Sequence, residues 1–285
     1  MTQANVSAPS GIGYPIWRTG EGAPLLLLHG FTGSHKTWDH LVDHLSSDHL
    51  VTTLDLPGHG ASRAPVWEGW TFATVIDDLA WIIKSQLGGN ADILGYSMGG
   101  RLGLALAAAY PGRVRRLVLE CASPGILDEQ ERQARQLADE GLAERILRDG
   151  LDEFIASWER LPMWESQTHL PEVDRERQLH IRRSHTATGL AANLRATGTG
   201  AQPSYWERLA DLTTPTLLIA GELDHKFAQI AARMHAALPD AQLEVVAHAG
   251  HAVHLEQPAM YVQIVSDFLD QPLPSSTQKK RSERD

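Results

Sequence analysis

The pentapeptide Gly95-Tyr96-Ser97-Met98-Gly99, followed by Gly100, is the strongest chemical signal in this chain. Glycines two before and two after a serine suit a tight strand-to-helix turn. Such a turn holds the serine in strained dihedrals and presents it at the C-terminal edge of a sheet. There the hydroxyl also lies near the positive end of a helix dipole. The plain alternative is a glycine-rich turn carrying an incidental serine. The apolar run Ala91–Leu94 before it and the helical spacing of Met98–Ala109 after it favour the chemical reading.

A serine hydroxyl is a poor base and a poor nucleophile until an imidazole takes its proton. This kind of turn implies the chain order serine, acid, histidine. Among fourteen histidines, position selects His251, in the loop after the strand Gln242–Val246. His248, nearer the strand end, and His254, nearer the next helix, are its local rivals and read as structural or solvent-facing. The acid should close the preceding strand, Thr216–Ala220, where Gly221-Glu222-Leu223-Asp224 offers two carboxylates. Asp224 is better placed at the loop tip, with Glu222 the alternative. An oxyanion hole needs two backbone N–H donors. Met98, directly after the serine, offers one. Phe31, within His29-Gly30-Phe31-Thr32-Gly33, offers the other, and Gly30 permits close backbone approach. Pro57-Gly58-His59-Gly60 is read as shaping a turn only.

These residues need a frame that brings distant loops to one edge. Short apolar runs at Leu25–Leu28, Leu50–Leu54, Ala91–Leu94, Arg116–Glu120, Thr216–Ala220 and Gln242–Val246 read as strands. They alternate with helical spacing in Thr37–Leu45, Phe72–Leu87, Met98–Ala109, Phe227–Leu238 and Ala259–Leu269, the pattern of βα units around a mostly parallel sheet. From about Pro124 to Leu212 no strand pattern appears, and the stretch is far too long for an ordinary connection. The expected organisation is therefore a core of residues 1–123 and 212–270, an all-helical cap insertion at 124–211, and a disordered polar tail at 271–285.

Composition excludes several classes. With 285 residues, 42% hydrophobic and 21% charged, the chain can bury a large core. A net charge of -10 speaks against a general nucleic-acid binder. It does not exclude an anionic small molecule, because a few arginines converging in a cleft set the local potential. The single Cys121 rules out an intramolecular disulfide framework and a multi-cysteine metal site. No histidine pair with metal-ligand spacing is evident, so neither metal nor cofactor is expected. With no secretory signal and no apolar run near the ~20 residues of a membrane span, a cytoplasmic protein is the default.

Together the turn at Ser97, the His-Gly loop and the ordered acid and histidine resemble the α/β-hydrolase fold, over about Pro24 to Leu269. Further phrases narrow the resemblance. Arg101 stands four residues after Ser97, and Ser123-Pro124-Gly125, Arg132, Arg135, Trp158 and Pro162 follow in order. Then come Arg182-Arg183-Ser184, Gly198-Thr199-Gly200-Ala201-Gln202-Pro203 and Asp224-His225-Lys226-Phe227. This succession is similar to the 2-succinyl-6-hydroxy-2,4-cyclohexadiene-1-carboxylate synthases, lyases of menaquinone or phylloquinone biosynthesis.

The resemblance implies pyruvate elimination from a tricarboxylate, 2-succinyl-5-enolpyruvyl-6-hydroxy-3-cyclohexene-1-carboxylate. Ser97, with His251 and Asp224, would then act as a base rather than become acylated. Arg101, Arg135 and Arg183 match the family's substrate-binding arginines, with Arg182 the neighbouring alternative to Arg183. A surface ion pair at i,i+4 is the competing reading of Arg135. Tyr96 and Trp158 would line the pocket, ordinary aromatic core being the alternative for both. Glu159 departs from the Tyr that members often carry after this Trp, and is expected to point away from a polyanion. The runner-up activity is a carboxylesterase or C–C bond hydrolase of the same fold. A catalytically silent binding protein is disfavoured by the intact Ser97, Asp224 and His251. No physical protein partner is readable.

Overall fold

The computed structural model describes residues 1–62 and 69–273. Among them, eight strands form one sheet in the order β1-β2-β4-β3-β5-β6-β7-β8. The strands are β1 Thr2–Ser7, β2 Gly13–Thr19, β3 Ala23–Leu28, β4 His49–Leu54, β5 Ala91–Tyr96, β6 Val114–Glu120, β7 Thr216–Gly221 and β8 Ala241–Val246. β1 and β2 pair antiparallel, as do β2 and β4, and every other pairing is parallel. The sheet is thus mostly parallel and flanked by helices, the α/β-hydrolase arrangement.

Two strands, β1 and β2, are absent from the six that the sequence pattern suggests. For β1 the reason is edge placement: it buries only Val6, so it needs no apolar run. β2 lies inside the sheet, but its buried residues are Tyr14, Pro15 and Ile16, and a proline among them hides the strand pattern. The central strands are the opposite case. In β3 the four leucines divide between two cores. Leu26 and Leu28 pack with helices α2 (Phe72–Gln86), α3 (Met98–Ala109) and α8 (His225–Ala237). Leu25 and Leu27 pack with α1 (Asp39–Leu45), α9 (Val253–Glu256) and α10 (Pro258–Leu269) on the other face. A strand covered on both faces reads as continuous leucine because alternate side chains enter different cores. The stretch expected as one helix over Thr37–Leu45 begins instead as a 3-10 turn, His35–Trp38, capped by Ser34, before α1.

Between β6 and β7 the described chain holds helices and their connections, with no strand. It holds α4 (Glu129–Asp149), α5 (Leu151–Trp158), α6 (Glu172–Arg183), α7 (Ala187–Thr197) and 3-10 segments at Pro162–His169 and Trp206–Asp211. The insert has its own small core of Ala143, Ile146, Phe154, Ile155, Leu190, Ala191 and Leu194. Phe31, from the loop after β3, packs against that core and so joins insert to sheet. From residue 274 onward the expected polar tail lies outside the described residues. No helix among the described residues is long and apolar enough to cross a membrane.

Several histidines are buried in this frame. Burial lowers His29 and His40 from the ordinary 6.5 to about 4 each. A folded pKa below the unfolded one means the unfolded chain binds more protons between about pH 4 and 6.5, so stability falls as pH drops through that window. Equilibrium unfolding at pH 5 should therefore take up roughly two or more protons. A stability that stays flat from pH 7 to pH 5 would contradict the burial of these rings.

Candidate active site

Ser97 sits between β5 and α3 with φ 50° and ψ −106°, a strained conformation for a residue with a side chain. The strain is imposed by packing. A Cβ at Gly99 would collide with the Leu28 carbonyl, so glycine lets α3 lie directly on the end of β3. The Ser97 N–H donates to the Glu120 carbonyl at 2.8 Å, tying the turn to the end of β6.

Three loops at the same sheet edge bring a serine, a histidine and a carboxylate into a hydrogen-bonded relay. His251 Nε2 lies 3.1 Å from Ser97 Oγ, and His251 Nδ1 lies 2.6 Å from Asp224 Oδ2. Asp224 also caps α8, accepting the Phe227 N–H at 3.2 Å. Burial raises the Asp224 carboxyl, but the His251 hydrogen bond and charge, the Phe227 N–H and Lys226 outweigh it, and its pKa lies below the ordinary value. An ionised Asp224 fixes the imidazole with Nε2 free to take a proton from Ser97. Glu222, the alternative acid, instead accepts the His248 N–H at 3.2 Å on the exposed side of the loop. His248 is itself exposed. His254 is buried, its Nδ1 lying 2.8 Å from Glu120 Oε1.

Two carboxylates that the sequence reading did not single out brace this edge. Glu256 accepts the N–H groups on either side of His251, from Gly250 at 2.7 Å and from Ala252 at 3.2 Å. Glu120, fully buried, holds His254 beneath Tyr96, whose ring centroid is 4.7 Å from that of His254. Neither glutamate belongs to a recognisable phrase; only the folded loops show what each one faces.

The relay opens into a cavity of about 860 Å³ between sheet and insert, lined among others by Phe31, Tyr96, Met98, Arg101, Arg135 and Trp158. Gly30 brings the Phe31 loop close, since a Cβ there would lie 2.7 Å from the Tyr96 ring. Arg101 is buried, and its guanidinium donates to the Thr197 carbonyl at 2.8 Å and to Gln202 Oε1 at 3.2 Å. Gln202 in turn donates to the Ser123 carbonyl at 3.2 Å. The phrase Gly198–Pro203 therefore includes a residue that seats Arg101. Burial and the Arg135 charge lower the Arg101 pKa to about 10, with Asp139 opposing them, so it stays charged at neutral pH. Arg135 lines the cavity while forming an i,i+4 ion pair with the buried Asp139 at 2.7 Å.

Arg183 requires correction. It is not among the residues lining the cavity; its side chain is 58% exposed and lies 3.8 Å from Asp152. One residue along a helix turns about 100°, which puts the neighbour on the inner face. Arg182 is buried, stacks 5.1 Å from the Trp164 ring centroid and pairs with Glu159 at 2.8 Å. Glu159 is thus occupied by Arg182. Lys226, from the phrase after Asp224, adds a cavity-lining cation that the sequence reading left without a role.

Among the described residues, the ligand atoms of Cys121, Asp224 and His251 lie within 4.8 Å of one another. The facing Asp224 and His251 atoms are already hydrogen-bonded, and burial pushes the Cys121 thiol up, so it stays protonated. A proton relay accounts for this group better than a metal would.

Known proteins share the arrangement. The α/β-hydrolase-fold family profile matches residues 23–258. A Bacillus subtilis (strain 168) protein, provisionally named 2-succinyl-6-hydroxy-2,4-cyclohexadiene-1-carboxylate synthase, is 41% identical over 94% of this chain and 99% of its own. The chain belongs to that synthase family of the α/β-hydrolase fold. It is accordingly an enzyme of the lyase class. The structure of MenH from S. aureus superposes with a TM-score of 0.86 at 32% identity, covering 90% of this chain and 97% of that one. A malate-bound thermophilic esterase from Thermogutta terrifontis has a TM-score of 0.82 at 28% identity, covering 94% and 98%. The same frame thus carries a family member and an esterase.

The relay predicts a reactive serine. A fluorophosphonate probe should label Ser97, read by intact mass. Asp224→Asn should slow labelling by roughly 10²-fold or more, through loss of the imidazole's orienting acid. Glu222→Gln should leave it within about 2-fold, as expected for a surface position. The reverse order would make Glu222 the acid.

Proposed function

We propose that this enzyme eliminates pyruvate from 2-succinyl-5-enolpyruvyl-6-hydroxy-3-cyclohexene-1-carboxylate, giving 2-succinyl-6-hydroxy-2,4-cyclohexadiene-1-carboxylate in menaquinone or phylloquinone biosynthesis. The observation that carries this reading is Arg101, a buried charge one helical turn beyond Ser97 that lines the cavity. A cavity for a neutral ester gains nothing from burying a guanidinium, whereas a tricarboxylate repays that desolvation with charge-assisted hydrogen bonds. Arg135 and Lys226 supply further positive charge at the same walls.

In this mechanism the substrate's succinyl ketone lies with its oxygen toward the Phe31 and Met98 N–H groups. Ser97 Oγ, deprotonated toward His251, removes the ring proton made acidic by that ketone. The electron pair passes to the ketone oxygen as an enolate, which the two N–H donors stabilise. Collapse of the enolate forms the C2–C3 double bond of the ring, moves the existing C3–C4 double bond to C4–C5 and breaks the C5–O bond to the enolpyruvyl group. The leaving enolate takes up the proton held by His251 and tautomerises to pyruvate. The helical insert acts as a cap that excludes water and presents Arg135 and Trp158 to the substrate. One substrate gives two products, the cyclohexadiene and pyruvate, by elimination, so no water is consumed.

The second reading is an esterase with Ser97 as a true nucleophile, supported by the related esterase of the same fold. A coupled pyruvate assay separates the two. Pyruvate should form from the enolpyruvyl substrate, with little turnover of short p-nitrophenyl esters; efficient ester turnover without pyruvate would establish the esterase. Ser97→Ala should lower kcat by roughly 10²–10⁴-fold, the range for a positioned base. Arg101→Ala should lower kcat/KM roughly 10- to 100-fold, the scale of lost hydrogen bonds from a charged group, in a protein that still folds.

A further inference from the structure

Three imidazoles that take no part in the relay are buried where the Phe31 loop meets the insert: His29, His59 and His185. Each has a partner at both ring nitrogens. His29 Nδ1 faces the Gly30 carbonyl at 2.7 Å, and its Nε2 accepts the Leu56 N–H at 3.0 Å. His59 Nε2 accepts the Thr32 N–H at 3.1 Å, and its Nδ1 faces the Pro57 carbonyl at 3.3 Å. His185 Nε2 faces the Thr32 carbonyl at 2.9 Å, and its Nδ1 accepts the Gly60 N–H at 3.0 Å. In every ring one nitrogen donates to a carbonyl and the other accepts an N–H, which only the neutral form can do.

These bonds fall on three successive peptide planes. His29 fixes the Gly30 carbonyl, whose plane carries the Phe31 N–H. His59 fixes the next plane through the Thr32 N–H, and His185 the one after through the Thr32 carbonyl. Thr32 stands at φ 64°, a left-handed conformation that a β-branched residue holds only under outside restraint. His59 applies that restraint from the turn after β4, and His185 from the α6–α7 junction of the insert. The turn is itself docked on the insert, for Asn193 Nδ2 donates to the Pro57 carbonyl at 2.9 Å. This corrects the reading of Pro57–Gly60 as a turn alone.

We propose that His59 and His185 are positioning residues that aim the Phe31 N–H into the oxyanion hole, and that His185 makes this aim depend on the seating of the insert. The inference rests on Phe31 being an oxyanion donor, as in the function above. Burial, aided by the neighbouring rings of His29 and His185, holds His59 well below its ordinary pKa. Burial likewise holds His185 below its own, against the Thr32 carbonyl and Asp55. Among the described residues, the charged or titratable groups facing this cluster are Asp55 and His35, which pair with each other at 2.8 Å. Both clamp rings are therefore neutral at neutral pH, with their acceptor nitrogens available.

The test is steady-state pyruvate release by His185→Leu, His59→Leu and the corresponding Gln variants, each checked for folding by circular dichroism. A displaced oxyanion donor costs transition-state rather than ground-state binding, so the Leu variants should lose roughly 10- to 100-fold in kcat with KM within about 2-fold. Gln presents an amide at the outer ring position and can remake the bond to Thr32, so it should restore most of kcat. Where a Leu variant does not fold, His185→Ala, at the rim of the insert, takes its place with the same expectation. Leu variants with wild-type kcat and only a lower Tm would overturn the inference, as would Leu and Gln variants equally impaired. Ser97→Ala in the same assay separates the two layers. Lost turnover there, with wild-type kcat in His185→Leu, removes the positioning role alone; retained turnover removes the mechanism and the positioning role together.

Discussion

A side chain held at φ 50° on Ser97 is the constraint around which this molecule is arranged. The conformation is unfavourable in isolation and persists because β5 must reverse into α3 with no room for a gentler turn. Glycine at position 99 lets the helix rest on the Leu28 carbonyl, and the Ser97 N–H is tied to β6. Both cores of the sheet press on that junction, since β5 is buried along its whole length. The hydroxyl is thereby fixed before any partner arrives, and His251 and Asp224 need only be delivered to it by the loops after β8 and β7.

The second organising feature is charge placed against the average. A chain with a net charge of -10 buries a guanidinium beside its serine and secures it with neutral acceptors, Thr197 and Gln202. A carboxylate in direct contact would have neutralised Arg101 and left it indifferent to an anionic ligand; carbonyl and amide oxygens orient it without pairing its charge. Arg182 shows the contrast. Its charge is taken by Glu159 and its face by Trp164, so it serves the insert's packing.

Legibility of the site followed how local each signal is. The turn at Ser97 is written in five consecutive residues, and the central strands are written as apolar runs. Arg101 was readable because one helical turn separates it from Ser97. Arg183 was misplaced because a one-residue ambiguity on α6 rotates the side chain to the solvent face, and the chain alone does not say which face the insert turns inward. Nothing local announces the pairing of Glu120 with His254, which lie 134 residues apart, and Glu256 meets only backbone N–H groups of the loop before it. β1 escaped notice because an edge strand with one buried residue has no pattern to show.

By itself the sequence determined the alternation of strands and helices, the serine turn, the order of acid and histidine, and the helical character of the insert. Those properties depend on spacing along the chain, where backbone geometry translates pattern directly into shape. The tertiary structure alone decided that Arg183 faces solvent while Arg182 packs within the insert, that Glu120 holds His254, and how three neutral imidazoles grip the Phe31 loop. Each of those depends on contacts between segments far apart in sequence, fixed only when the insert packs down on the sheet edge and excludes the water that would otherwise satisfy every polar group separately.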